Sequence, residues 1–250
     1  MRRLAMNSGQ CVVSHTPAAR HETSLAADRR FLLYKPEKGQ IVRRQDIIEN
    51  KALKQLALAW KEYLIGLNSV PLPNTYDKAL DLVKDLKFSA ADIQKFVIGL
   101  TLFQELDRFP AKAGVFLSAL INSCTDREFL INVRHLSVPL FCFGYRNTKI
   151  VTVEGNLIGE VGYYMKSGTI IVNGDVLGGR DIHPTTHIGA CMEGGKIVIN
   201  GNSHGNGIGA SMRDGEIHLN GDHMHVASNI FGGSVYHKGK LISHSGRYDY

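Results

Sequence analysis

The chain has 250 residues, 44% of them hydrophobic, and a formal net charge of +6. That length can bury a sizeable core and accommodate two domains. No apolar run approaches the roughly 18 residues of a membrane span, and the four cysteines, Cys11, Cys124, Cys142 and Cys191, are scattered with no Cys-x-x-Cys pair. That spacing argues for free thiols in a reducing compartment and against a disulfide framework, a zinc site or an iron–sulfur cluster.

The positive charge sits at the start of the chain. Residues 1–44 hold nine basic side chains (Arg2, Arg3, Arg20, Arg29, Arg30, Lys35, Lys38, Arg43, Arg44) against three acidic ones (Glu22, Asp28, Glu37). Nine minus three is already six, so the remainder is neutral. We read 1–44 as a basic, flexible tail. The acid-free opening is also compatible with an organellar transit peptide. No ordered basic face with aromatic partners accompanies it, so nucleic acid is not expected as a partner, and without a spanning apolar run neither is a membrane. A cytoplasmic location is expected, with organellar targeting by the basic N-terminus as the alternative.

Residues 45–145 are expected to form a helical domain. Leu53, Leu56, Ala57, Trp60, Leu64 and Leu67 make a stripe at helical spacing, with Trp60 and Tyr63 as packing residues. Pro71 and Pro73 break the chain. Tyr76 to Leu86 reads as a short amphipathic helix with Ala79, Leu82, Val83 and Leu86 on one side. Its Asp77, Asp81 and Asp85 are interleaved with Lys78, Lys84 and Lys87, which marks a solvated face rather than a metal site. Ser89-Ala90-Ala91-Asp92 resembles a capping box and opens a helix towards Phe109, where Pro110 interrupts. Ala113 to Ile121 is apolar all round, as a central helix would be. Asp126 to Leu136 is expected to be the last helix. Glu62, Glu105 and Asp107 are lone carboxylates that sequence cannot pair for acid–base chemistry.

Residues 146–245 repeat. Lys149–Asn156, Gly168–Asp175, Gly195–Asn202 and Gly215–Asp222 share two aliphatic residues two apart, then a polar residue, a glycine, and Asn or Asp. A second pattern follows as Val161-Gly162-Tyr163-Tyr164-Met165, Ile188-Gly189-Ala190-Cys191-Met192 and Ile208-Gly209-Ala210-Ser211-Met212. Such repeats mean a solenoid, because one unit cannot bury its own apolar face. Met165 to Met192 is 27 residues and Met192 to Met212 is 20. The first interval is one coil plus an insertion of seven between Leu177 and Thr186. The alternation puts Val151/Val153, Ile170/Val172, Ile197/Ile199 and Ile217/Leu219 inward. Ile171 and Val198 then face outward and need a cover. Glycines bracket the strands because coil corners require left-handed backbone. Asn173, Asn200 and Asn220, and Asn156, Asp175, Asn202 and Asp222, should form side-chain ladders along the corners.

The Gly-Asp/Asn step, the glycine cluster, Ile-Gly-x-x-Met and Gly-x-Ile-x-Val-x-Gly together resemble the GXGXG repeat domain. The literal string occurs as Gly205-Asn206-Gly207-Ile208-Gly209. The resemblance covers Lys149 to Leu241. It implies a short right-handed parallel β-helix of about four coils, as in the C-terminal domain of the glutamate synthase large subunit and in one of the subunits of formylmethanofuran dehydrogenase. With the helices before it, the fold class is α+β. One coil carries the insertion, and the last loop has Val235 in place of the expected Met. Nothing in the first 148 residues resembles an amidotransferase, a flavin barrel or an iron–sulfur subunit. In the named enzymes the β-helix is a spacer, so the resemblance implies no catalytic residue and no cofactor.

Histidine has a biased distribution, with eight of eleven between His183 and His244. The insertion carries His183 and His187 beside Asp181, and insertions are where function gathers on a scaffold. If this chain binds a metal, His183, His187 and Asp181 are its expected ligands. His223 and His225 would share one face of a strand. No catalytic residue is assigned. The expected function is a non-catalytic scaffold or interaction module, docking a protein partner or another copy through the β-helix end or outer face. The alternatives are a structural subunit of an oxidoreductase complex and a stand-alone enzyme using the loop histidines.

Overall fold

A computed structural model of the chain describes residues 50–65, 72–178, 186–244 and 247–248. The expected tail, 1–44, lies outside them, as do Leu67 and Pro71.

Four helices come first: α1 (Lys51–Ile65), α2 (Leu72–Val83), α3 (Ala90–Gly99), followed by a 3-10 turn at Leu100–Phe103, and α4 (Phe109–Ser123). α1 buries Leu56, Ala59, Trp60 and Tyr63, while Ala57 is exposed. The Trp60 ring packs against Tyr63, Phe96, Phe103 and Phe116 at centroid distances of 5.1 to 6.3 Å. Such pairs add roughly 0.5–1.5 kcal/mol beyond their buried area. α2 starts four residues earlier than Tyr76, with Pro73 in its first turn, where a missing N–H has no partner to lose. Pro110 likewise starts α4 rather than only ending what precedes it. The expected capping box forms: the Ser89 side chain accepts from the Asp92 amide, and Asp92 accepts from the Ser89 amide at 3.0 Å. α4 is buried over Ala113–Ile121 and is the central helix, as its apolar surround requires.

Residues 126–136 are not a helix. Glu128–Asn132 is strand β1, with Phe129 and Ile131 buried and their neighbours exposed. It pairs in parallel with β3 (Ile150–Glu154), setting Phe129 against Val151 and Ile131 against Val153. Period-two burial against a ready edge outweighs local propensity. This strand makes a solenoid of about five turns rather than four.

The long sheet continues in parallel through β5 (Thr169–Asn173), β7 (Lys196–Ile199), β8 (Glu216–Leu219) and β9 (Ser234–His237), then turns antiparallel through β10 (Lys240–His244) and β11 (Arg247–Tyr248). A second sheet holds β2 (Leu140–Phe143), β4 (Leu157–Val161) and β6 (Val176–Leu177). Phe129, Val151, Ile170, Ile197, Ile217 and Val235 stack in register as one inner column. Ile131, Val153, Val172, Ile199 and Leu219 form the next, and none of these eleven exceeds 4% exposure. Each such side chain contributes about 1.5–3 kcal/mol relative to water. Met165, Met192 and Met212 are fully buried at the corner.

Corner geometry follows the repeat. Gly168, Gly195 and Gly215 have φ of 78°, 90° and 103°. Less expected, Arg146, Tyr164, Cys191 and Ser211 are left-handed too, at φ 51–55°. Left-handed backbone costs a non-glycine residue roughly 1–2 kcal/mol. Their amides donate to Tyr163, Ala190, Ala210 and Asn229 carbonyls on the next coil, which holds the column in place.

The helices cap the first coil, as its unpaired edges demand. α3 packs on β1 and α4 on β2. Gly114 permits the second contact, because a Cβ there would collide with the Phe141 carbonyl oxygen. Ser118 Oγ donates to Gly114 O at 2.7 Å and accepts from the Gly144 and Tyr145 amides at 2.9 and 3.2 Å, tying α4 to the corner after β2.

Candidate functional site

Of the three expected metal ligands, Asp181 and His183 lie outside the described residues. His187 is described, at the point where the insertion rejoins the coil. Its ring faces Glu160, with Nδ1 3.7 Å from Oε1, beyond hydrogen-bond distance but within an ion pair's reach when the ring is protonated. The other carboxylate oxygen, Oε2, accepts from the Cys142 thiol at 3.5 Å. Thus Cys142, Glu160 and His187 follow one another on one corner, from three successive coils.

The placement is a consequence of register. The β2–β4 ladder is regular at Phe141↔Ile158 and shifts before Phe143↔Val161. Cys142 sits in that bulge with φ 57°, and Gly159 opposite has φ 73°. Bulges re-aim side chains, and this one brings the thiol to Glu160. On the far side Gly207 leaves room for the imidazole, since a Cβ there would collide with His187 Cδ2.

The chemistry of the corner follows from burial. Cys142 is 1% exposed. Burial, then the Glu160 charge and its hydrogen bond to the thiol, push the thiol far above its ordinary range. It therefore stays protonated and is a poor nucleophile. The carboxylate stands between thiol and imidazole, so the imidazole cannot take the thiol proton directly, as nucleophilic catalysis would require. Among the described residues no three His, Cys, Asp or Glu side chains are placed to hold a metal ion. Glu160 was not singled out from sequence. Its signal is an acid inside the apolar run Leu157-Ile158-Gly159-Glu160-Val161.

Two other groupings stand out. Arg146 lies over the rings of Tyr76 and Tyr145 at 5.7 and 5.3 Å and pairs with Asp77 at 3.4 Å. Asp81 pairs with Lys84 at 2.8 Å, and the three aspartates are exposed, as a solvated face predicts. On the outer face of the long sheet, Leu130, Thr152, Ile171, Val198, His218 and Tyr236 stand in register across six strands. Leu130 is 49% exposed, and Ile150 beside it 42%. The His218 and Tyr236 rings stack at 4.6 Å with 16° between planes. Nε2 of His218 lies 2.8 Å from Glu216 Oε2. That bond, and then the one from Lys196, hold the Glu216 carboxyl below its ordinary range. His223 and His225 do not share a regular strand: residue 223 makes an isolated bridge with Ser203, and its ring meets His237 instead.

Comparison of the chain with models of known protein families, with curated proteins and with solved structures finds no match. Among the described residues no helix is long and apolar enough to cross a membrane.

Proposed function

We propose that this protein is a non-catalytic scaffold, a short β-solenoid capped by helices that works inside a larger assembly by docking a protein partner on the outer face of its long sheet. The observation that carries this reading is the registered outer stripe. Ile171, Val198 and Tyr236 are half-buried there and Leu130 is exposed. The stripe is bordered by the Lys196–Glu216 ion pair, at 3.2 Å, and by the asparagine ladder. An apolar centre with a polar margin is the anatomy of a protein interface. The protonated, buried Cys142 thiol also fits a structural rather than a chemical corner. Free thiols at Cys124, Cys142 and Cys191 suit a cytoplasmic, reducing location.

The finer version is a structural subunit of an oxidoreductase complex, with a GXGXG β-helix as its spacer. What supports it is the corner repeat: Gly162, Gly189 and Gly209 all have positive φ, and each is followed three residues later by a fully buried methionine.

The test is an Ile171→Lys/Val198→Lys variant expressed in the native source beside the parent. The parent should co-purify with a second polypeptide at fixed stoichiometry. The variant, with an unchanged melting curve, should lose it. Retention of the same partner at the same ratio would exclude the outer face as the docking surface.

A further inference from the structure

The last coil ends in two imidazoles. His223 follows Leu157, Val176 and Ser203 at successive positions of the second sheet's column. His237 follows Leu219 in the long sheet's inner column. An aliphatic residue at either place would simply extend the core. The two rings instead meet across the coil with centroids 4.6 Å apart and planes at 82°.

Each ring is oriented by a backbone carbonyl. His223 Nδ1 lies 2.9 Å from Met224 O, and His237 Nε2 lies 3.1 Å from Gly221 O. A carbonyl only accepts, so those nitrogens carry the protons. In the neutral imidazoles, His223 Nε2 and His237 Nδ1 then hold free lone pairs. A carbonyl fixing the distal N–H is the usual outer-shell arrangement of a metal-binding histidine. The separation also fits. An ion about 2.0 Å from each nitrogen, with an angle of roughly 90–110° between them, sets ring centroids roughly 4.5–5 Å apart.

A second, independent observation points the same way. Ser203, directly beneath His223 in the column, is 1% exposed, and its Oγ has no hydrogen-bond partner among the described residues. A buried hydroxyl without a partner is costly, and a polar group drawn in beside the ring above, after a small shift of that ring, would offset the cost. Asp222, next to His223 in the chain, pairs with Lys238, next to His237, at 3.4 Å.

We propose that His223 and His237 form a binding site for a borderline divalent transition-metal ion, of the Zn²⁺, Ni²⁺ or Cu²⁺ class that imidazole prefers. Two protein ligands leave the remaining positions to water, so the site is open, exchangeable and weaker than a four-ligand structural zinc. It is distinct from the expected His183/His187/Asp181 set, and the proposal does not depend on the scaffold reading.

The test is calorimetric titration of the full chain with Zn²⁺ at pH 7.5, in the parent and in His223→Ala, His237→Ala, His225→Ala and His183→Ala/His187→Ala variants. Saturable binding lost on substituting either His223 or His237, and kept in the other two variants, supports the site. Binding lost only with His183 and His187, or no uptake at millimolar Zn²⁺, overturns it. Should the His223 or His237 variant fail to fold, diethylpyrocarbonate labelling of the parent decides. Zn²⁺ should protect His223 and His237 from modification while His225 stays reactive, and equal labelling with and without Zn²⁺ overturns the site.

Discussion

The side-chain amide of Asn200 donates to the amide oxygen of Asn173 at 2.6 Å, across 27 residues of sequence. The next rung, Asn220 to Asn200 at 2.7 Å, spans 20, and below them Asn173 donates to Glu154 at 2.7 Å. A parallel ladder joins side-chain oxygens to backbone amides at Asn156–Asp175, Asp175–Asn202 and Asn202–Asp222. The longer coil therefore adds its extra residues without disturbing the stacking on either side. Asn200→Ala removes the middle rung from both neighbours. It should lower stability by about 0.5–1.5 kcal/mol per bond lost, read as a drop in the urea midpoint at unchanged slope.

Loss of a core column is a larger effect than loss of a rung. Ile197 is fully buried between Ile170 and Ile217. Ile197→Ala should destabilise by roughly 2–5 kcal/mol. Ile197→Asp, a buried carboxylate without a partner, should abolish the folded state under native conditions. Circular dichroism and thermal melts of the two variants check the order.

The helix cap and the solenoid are joined by a backbone contact with no slack. Gly114→Ala would drive a methyl into the Phe141 carbonyl oxygen. Overpacking against backbone should lower stability by about 1–3 kcal/mol. Hydrogen exchange should show the loss as faster exchange in α4 and β2 rather than in β7 and β8. Uniform acceleration over the whole chain would show that the join is not a local contact.

The α3 start carries a defined pH dependence. Burial tends to raise the Asp92 carboxyl, but hydrogen bonds from Asn50 and Ser89 outweigh it and leave the folded value below the ordinary one. A depressed folded value means stability that is fully present above the unfolded value of about 3.9. That stability is lost as pH falls through the lower folded value. Asp92→Asn should flatten this part of the stability profile, and Ser89→Ala should lower stability at neutral pH by about 1 kcal/mol. Chemical denaturation from about pH 2 to pH 7 reads both.

Thiol reactivity separates the cysteines. Burial and Glu160 raise the Cys142 thiol, burial raises Cys124, and Cys191 is half-buried. Iodoacetamide at pH 8, followed by peptide mass spectrometry, should label Cys191 well before Cys142. Rapid alkylation of Cys142 would mean the corner holds a thiolate after all.

Much of the solenoid was legible because its signals are local and repeated. Alternation at Ile170/Val172 and Ile197/Ile199 fixes the inward face whatever the rest of the chain does, and the asparagines mark the corners. β1 was not legible, since Phe129 and Ile131 are too short a run to outweigh charged neighbours until the β3 edge is there to pair with. The corner of Cys142, Glu160 and His187 was hidden for a different reason. A register shift separates the first two, and the longer coil the last two, so no fixed spacing announces them. The same holds for His223 and His237, which approach from different sides of one coil.

If this chain is a structural part of an assembly, the native mass of the particle tests that role most directly. The protein isolated gently from its source, and measured by native mass spectrometry, should appear in a particle well above 27.6 kDa, with a second polypeptide at fixed stoichiometry. A free 27.6 kDa chain that turns over a substrate without any partner would contradict it.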